Sequence, residues 1–317
     1  LTNEHHTPVL LHEVVALVTP PRPGLLVDGT VGSGGHALEL LRRAPAGSRL
    51  LGVDRDPSAL VESARRLVEF GDRVELVRGR FSAVPAMMAD RGGAKAIGIL
   101  LDLGLRSSQV DRPERGFSYL EDGPLDMRME EGTGPTAERL LSEADRPTLV
   151  RVLREGGEEP RAPRIARGIL EARERGGLAT TRDLARAVEA AVPRRDRIRS
   201  LARTFQAVRI WVNRELEELD AFLAEAPEML EEEGVLCVIS YHSLEDRRVK
   251  RAMRGWARGC ICPPQAPECR CGRSPEVELL TRRVKVPSAG EKARNPRSRS
   301  AKLRACRRIR GGGDEKR

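Results

Sequence analysis

The chain has 317 residues, a formal net charge of +9 and only 3% aromatic residues. That length holds one large or two ordinary domains, with cores built mainly of Leu, Val, Ile and Ala. No apolar run approaches the ~20 residues of a membrane span, and the first residues lack a basic segment followed by an apolar one, so a cytoplasmic protein without a membrane partner is expected.

The charge is uneven. Residues 281–310 hold twelve Lys or Arg and one acid, Glu291, a formal +11 within a total of +9, so the rest of the chain carries −2. A basic segment on a near-neutral body suggests a polyanionic partner; the alternative is a solvated face.

In chain order, residues 1–24 read as an arm with a short helical pattern from Glu13 to Val18, ended by Pro20-Pro21. Leu25–Asp28 is a buried strand. It runs into a turn carrying Gly29, Gly32, Gly34 and Gly35, after which a helix extends to about Arg43. Glycine allows close backbone approach, and a helix N-terminus offers free N–H groups, so this is the ligand-binding corner of a doubly wound α/β domain. A strand at 50–54 ends on Asp54, and Pro57 opens a helix to about Phe70. A strand at 74–77 precedes Gly79-Arg80-Phe81, a helix covers 84–90, and a strand at 96–101 ends at Asp102-Leu103-Gly104. This alternation implies right-handed βαβ units and a parallel sheet.

The rhythm then breaks. The next buried strand is Val235–Ser240, and the intervening residues read as helices at 136–143, 149–155, 162–175 and 181–191. A long helix is expected from Gln206 to about Ala226, with Val208, Val212, Leu216, Leu219 and Leu223 on one core-facing side. The acidic run Glu231–Glu233 precedes the strand, and a helix at 244–253 follows it. Strands are expected at 277–286 and 300–309, with a disordered tail at 311–317. The resulting division is a first part of the α/β domain at 1–105, an inserted helical domain at 106–215 that shields a cleft or grips a substrate, and the second part at 216–310.

Of the six cysteines, Cys237 lies in a core strand, while Cys260, Cys262, Cys269 and Cys271 form C-x-C-x6-C-x-C. This pattern suits either a four-thiolate zinc site or a loop of reduced thiols. Zinc pairs are ordinarily spaced by two to four residues rather than one, and no metal ligand set is assigned.

The glycine turn alone fits three readings: a dinucleotide site, an S-adenosylmethionine site, or a turn without ligand. Gly32, Gly34 and Ala37 satisfy G-x-G-x-x-A. Asp54 can accept both hydroxyls of a ribose in either of the first two cases. Asp28 suits a cationic sulfonium and amino group better than a pyrophosphate, and Phe81 can pack on an adenine face. Asp102 matches the polar acceptor that methyltransferases of exocyclic amines place after the fourth strand, where it holds the amine N–H groups and localises the lone pair. Each acid alone could instead be a helix cap.

Several segments together resemble the RsmH (MraW) family. They are His6–Leu11, Asp28-Gly29-Thr30 with Gly34-Gly35-His36, Asp102-Leu103-Gly104, Arg115–Ser118, Leu125–Met129, Arg203–Gln206, Ser240–Arg247 and Asn295–Arg304, in order over residues 5–308. The resemblance implies a Rossmann-like class I S-adenosylmethionine-dependent methyltransferase with an inserted all-helical domain. It implies methylation of N4 of a cytidine in the decoding region of 16S ribosomal RNA, with that RNA or the small ribosomal subunit as partner. By motif, cofactor contacts fall on Gly34, Gly35, His36, Asp54, Phe81, Asp102 and Gln109. Asp102 is the candidate catalytic residue. His242 is either a second catalytic contact or a structural histidine in a turn. The chain departs from the family's pattern at Leu105-Arg106, where Val-Ser is usual, and at Arg199–Ala202, where His-Pro-Ala-Thr is typical. An NAD-linked oxidoreductase would explain the glycines and Asp54 but not Asp102-Leu103-Gly104 or the basic end. A non-catalytic RNA-binding assembly factor on the same fold would differ by lack of turnover.

Overall fold

The computed structural model describes residues 8–19, 21–263 and 270–310, apart from the side chains of Ser107 and Ser108. The expectations for His6, Thr7, Cys269 and the tail at 311–317 lie outside the described residues. Two compact units are present, one formed by Leu1–Gly104 with Glu217–Arg317 and the other by Leu105–Leu216.

The first unit is Rossmann-like. Its strands are β1 (Leu25–Asp28), β2 (Arg49–Asp54), β3 (Val74–Arg78), β4 (Ala96–Asp102), β5 (Leu230–Ser240), β6 (Val277–Leu279) and β7 (Lys302–Arg308). They form one sheet in the order β3-β2-β1-β4-β5-β7-β6. Pairings from β3 through β5 are parallel, and β7 runs antiparallel to both β5 and β6. The chain winds outward from β1 to β3 and then returns to place β4 on β1's other side. The strand order therefore reverses between β1 and β4, the position at which doubly wound sheets bind ligands at the carboxyl ends of their strands.

Alternate side chains of the central strands enter opposite cores, as the pleat requires. Leu26, Leu50 and Leu100 pack with Val14, Val15 and Val18 of the helix Leu11–Val18 and with Leu40 and Leu41 of the helix Gly35–Arg43. Val27, Leu51 and Leu101 pack on the other face with Leu219, Phe222 and Leu223. The segment expected to be an arm is thus tied down by its apolar side: a Cβ on Gly98 would come within 2.7 Å of Val18.

The second unit is helical, with Ala137–Glu143, Arg146–Gly157, Ala162–Glu174, Thr181–Ala191 and Arg197–Asn213 around a core that includes Leu141, Leu153, Ile165, Ile169, Val188 and Val208. Its helix starts follow local chemistry. Asp145 accepts the Thr148 N–H, and Thr180 and Asp183 form a reciprocal capping box, each satisfying donors that the first turn leaves open.

Three expected elements differ from the observed ones. The helix expected from Gln206 to about Ala226 is two helices, Arg197–Asn213 and Glu215–Met229, separated by Arg214 at φ 52°. Val208 and Val212 belong to the helical unit's core, whereas Leu219 and Leu223 belong to the sheet's. The break carries neither Gly nor Pro. It is held instead by Arg209, which pairs with Glu215 through two 2.8 Å hydrogen bonds, and by Asn213, which donates to the Arg209 carbonyl. β5 begins at Leu230 and takes in the acidic run, because a bulge lets Leu230 pair with Ala96 and Val235 with Gly98. β6 is only three residues long rather than reaching Val286.

Candidate active site

The turn after β1 is built by backbone bonds to its neighbours. Gly29 N–H donates to the Leu100 carbonyl, Val31 N–H to the Val53 carbonyl and Gly34 N–H to the Val31 carbonyl. Gly34 has φ 79°, a left-handed conformation that costs glycine nothing, and a Cβ there would press on Ser63 at 3.1 Å. The helix that Gly34 precedes carries no side-chain cap, so its first N–H groups are open to a ligand.

Three aspartates end the strands around this turn. Asp54 accepts the N–H groups of Gly32 and Asp56, both at 2.9 Å. Asp28 is 1% exposed and accepts the Thr30 N–H at 3.2 Å. Burial pushes its pKa up to about 8, and Asp102 and Asp54 push the same way. Asp28 therefore sits buried beneath the turn, where it braces the Thr30 N–H.

Asp102 ends β4, and its backbone N–H donates to Thr30 Oγ1 at 2.6 Å, locking the strand end to the turn. Its side chain keeps 22% of its surface exposed, with Oδ2 3.8 Å from His36 Nδ1. Oδ1 is buried and makes no hydrogen bond. Desolvation raises the Asp102 pKa, opposed by His36, the Tyr241 hydroxyl and the Gly104 N–H. The carboxylate is thus braced by His36, Tyr241 and Gly104, with part of its side chain still open at the strand end.

His36, on the first turn of its helix, is 7% exposed. Its Nε2 lies 3.0 Å from the Val9 carbonyl. A carbonyl can only accept, so Nε2 carries the proton and Nδ1 faces Asp102. Val9 is held in turn by its neighbour Leu10, at φ 54°, whose N–H donates to Glu291 Oε1 at 2.8 Å. The one acid of the basic segment thus anchors the chain that orients His36.

Gly34, Gly35, His36, Asp54 and Asp102 come together at this edge of the sheet. Phe81 packs there too, but it is 6% exposed and meets Phe222 edge-on at 5.9 Å. A Cβ on Gly29 would come within 3.2 Å of the Phe81 Cβ, so the glycine lets the turn lie close over this residue. Gln109 belongs to the helical unit, where it is buried and accepts the Arg106 N–H at 3.1 Å. His242 follows β5 as the N-cap of the helix Ser243–Trp256. Its Nδ1 accepts the Glu245 N–H at 3.4 Å, Nε2 faces Glu245 Oε1 at 3.1 Å, and Glu245 Oε2 accepts the Tyr241 N–H at 2.8 Å. That geometry is a capping box. The residue of this segment that reaches Asp102 is Tyr241, whose pKa is raised well above its ordinary value by burial and by Asp102. Sequence reasoning passed over Tyr241. Its signal is Gly104, where a Cβ would fall 2.7 Å from the tyrosine ring.

The basic segment is partly self-neutralised. Arg304 binds Asp246 at 2.7 Å with Lys302 3.6 Å from the same carboxylate, Arg307 pairs with Glu278 at 2.9 Å and Arg308 with Glu228 at 3.0 Å. Arg282, Arg283, Lys285, Arg294 and Arg299 stand exposed, so the surface offered to a polyanion is narrower than the full charge count of the segment implies.

A sequence model described as the MraW methylase family matches residues 3–309. The chain is 46% identical over 310 residues to "Ribosomal RNA small subunit methyltransferase H" of Heliobacterium modesticaldum, covering 96% of this chain and 99% of the relative. The same name is borne by a relative from Solidesulfovibrio magneticus, 47% identical over 310 residues with 96% and 95% covered. It is also borne by one from Symbiobacterium thermophilum, 46% identical over 316 residues with 98% and 99% covered.

Proposed function

Because the chain belongs to the MraW methylase family, we propose that it is an S-adenosylmethionine-dependent methyltransferase of small-subunit ribosomal RNA, with the exocyclic N4 of a cytidine as methyl acceptor. The observation that carries the reading is Asp102, a strand-end acid with 22% of its side chain exposed beside a glycine turn at the reversal of the strand order.

The residues fit the cofactor. The turn through Gly34 and Gly35 and the open helix N-terminus would hold its methionine end, and Asp54 its ribose hydroxyls. Bound there, the cofactor supplies an electrophilic methyl group on a sulfonium sulfur. The Asp102 carboxylate accepts an N–H of N4, which turns the amine lone pair out of conjugation with the ring. Its raised pKa also lets it take the proton that N4 sheds once alkylated. His36 and Tyr241 hold the Asp102 carboxylate in place, and His242 fixes the start of the helix behind it. Most of the acceleration is positioning of two reactants in a near-attack geometry. A cytosine must leave its stack to present N4, so the RNA is unpaired or flipped at the target. The exposed arginines of 282–299 bind phosphates.

The test is nucleoside mass spectrometry of small-subunit rRNA, taken from particles lacking the modification and incubated with the protein and methyl-labelled S-adenosylmethionine. The expected product is labelled N4-methylcytidine. Label on another base atom would overturn the acceptor assignment. Cofactor binding without any transfer to rRNA or assembled particles would leave an RNA-binding factor instead of an enzyme.

A further inference from the structure

Three thiols that the proposed reaction does not use converge in the loop between the helix Ser243–Trp256 and β6. Cys260, Cys262 and Cys271 place their sulfurs within 4.8 Å of one another, and Cys260 Sγ is 3.8 Å from Cys271 Sγ. A disulfide would hold two sulfurs about 2.05 Å apart. Thiolates around tetrahedral zinc, each about 2.3 Å from the ion, are separated by about 3.8 Å along a tetrahedron edge. The Cys260–Cys271 pair stands at that spacing.

A second observation concerns the backbone. Ile261 N–H donates to Cys271 Sγ at 3.4 Å, Cys262 N–H to Cys260 Sγ at 3.4 Å and Arg270 N–H to Cys262 Sγ at 3.3 Å. Each of the three sulfurs accepts a backbone N–H and Cys271 Sγ also donates to Cys260 Sγ, so the chain holds the three sulfurs facing one another within 4.8 Å. Among the described residues between Met253 and Val277 no hydrophobic side chain is buried, and Ile261 is exposed. Among the described residues, the Glu276 N–H donates to the Trp256 carbonyl at 2.8 Å at the base of the loop.

We propose that Cys260, Cys262 and Cys271 bind a zinc ion as thiolates and that the ion, rather than a hydrophobic core, folds this loop. Binding releases the three thiol protons to solvent, and one further donor completes the tetrahedron. The role is structural, since the thiols lie on a loop that follows the far end of the helix His242 caps.

The full chain, purified without a histidine tag or chelator, is assayed for metal by elemental mass spectrometry and then reconstituted with cobalt(II). The expected result is one equivalent of zinc and, with cobalt, thiolate-to-metal charge-transfer bands. C260S, C262S and C271S should each lose the bound equivalent or weaken it at least tenfold, whereas C306A, in the sheet core, should keep it. Circular dichroism checks that every variant is folded, and the cobalt spectrum of the unaltered chain tests the site without any substitution. Zinc content no higher than that of the triple serine variant, or a cobalt spectrum without charge-transfer bands, would overturn the proposal. An intact mass lower by two hydrogens, restored by reductant, would overturn it in favour of a disulfide.

Discussion

His36 Nδ1 stands 3.8 Å from Asp102 Oδ2, while the opposite nitrogen of the same ring is fixed at 3.0 Å to the Val9 carbonyl. The imidazole is thereby a strut between the N-terminal segment and the end of β4. Through Leu10 and Glu291 the strut reaches the segment just before β7, so parts of the chain about 280 residues apart set the orientation of one carboxylate.

Replacing Asp102 should separate binding from chemistry. D102A and D102N are expected to lower the rate at saturating cofactor and RNA by about 10²–10³, the usual effect of removing one preorganised partner of the reacting group. The acceptor is the ionised carboxylate, and its pKa is raised. The unaltered protein should therefore lose rate, as pH falls, at a midpoint above the ordinary aspartate value. A pH–rate profile that D102N leaves unchanged would take Asp102 out of the reaction.

Glu291 acts through Leu10. In E291A the Leu10 N–H loses its acceptor, with a stability loss of about 1–2 kcal/mol and a lower rate as His36 loosens. Glutamine keeps an oxygen for that N–H, so E291Q should restore both quantities. Urea melts paired with initial rates decide the point, and equal defects in the two variants would mean that the charge rather than the hydrogen bond matters.

The raised pKa of Asp28 makes stability depend on pH in a defined direction. The folded protein holds this proton up to about pH 8, whereas the unfolded chain releases it near the ordinary value of 3.8. The native state binds more protons between those limits, so this group's contribution to stability falls as pH rises through the window. Asn is a neutral isostere that still accepts the Thr30 N–H. D28N should therefore be more stable than the unaltered chain at pH 7 by on the order of a few kcal/mol, with the gap closing towards about pH 4. Thermal melts at a series of pH values would show the two curves converging in acid; parallel curves would place the Asp28 pKa near its ordinary value.

The basic end contains two populations of arginine that should respond differently. Arg304 and Asp246 are both mostly covered, and D246A, which strands Arg304, is expected to cost about 3 kcal/mol. The exposed Arg282, Arg283 and Arg299 should leave stability unchanged when replaced by Ala. For every arginine that binds a phosphate, its replacement should reduce the log–log salt slope of RNA binding by about 0.7–0.9. Fluorescence titrations from low to moderate salt measure that slope, and a triple variant with the original slope would place the RNA elsewhere.

Much of the sheet was legible because its signals are local. Apolar runs at 25–27, 50–53 and 96–101 are continuous enough to be strands buried on both faces, and each ends in an aspartate followed by turn residues. The helix starts at Pro57 and Thr181 carry their own caps. The break at Arg214 was not legible, because a bidentate ion pair and one asparagine impose it without Gly or Pro. Asn213 shows the cause plainly. Its side chain bonds Met129 N–H, the Met127 carbonyl and the Arg209 carbonyl, and two of those partners lie more than 80 residues away.

The sequence by itself determined the identity of the strand-end residues around the glycine turn, because period, turn chemistry and chain order are written locally. Only the tertiary structure decided which state and role those residues have. Burial raises the Asp28 pKa, packing sets the Phe81 ring edge-on to Phe222 and His242 at the start of its helix, and the fold brings Tyr241 to Asp102. Desolvation and hydrogen-bond geometry depend on what the rest of the chain packs nearby, and no local pattern encodes them.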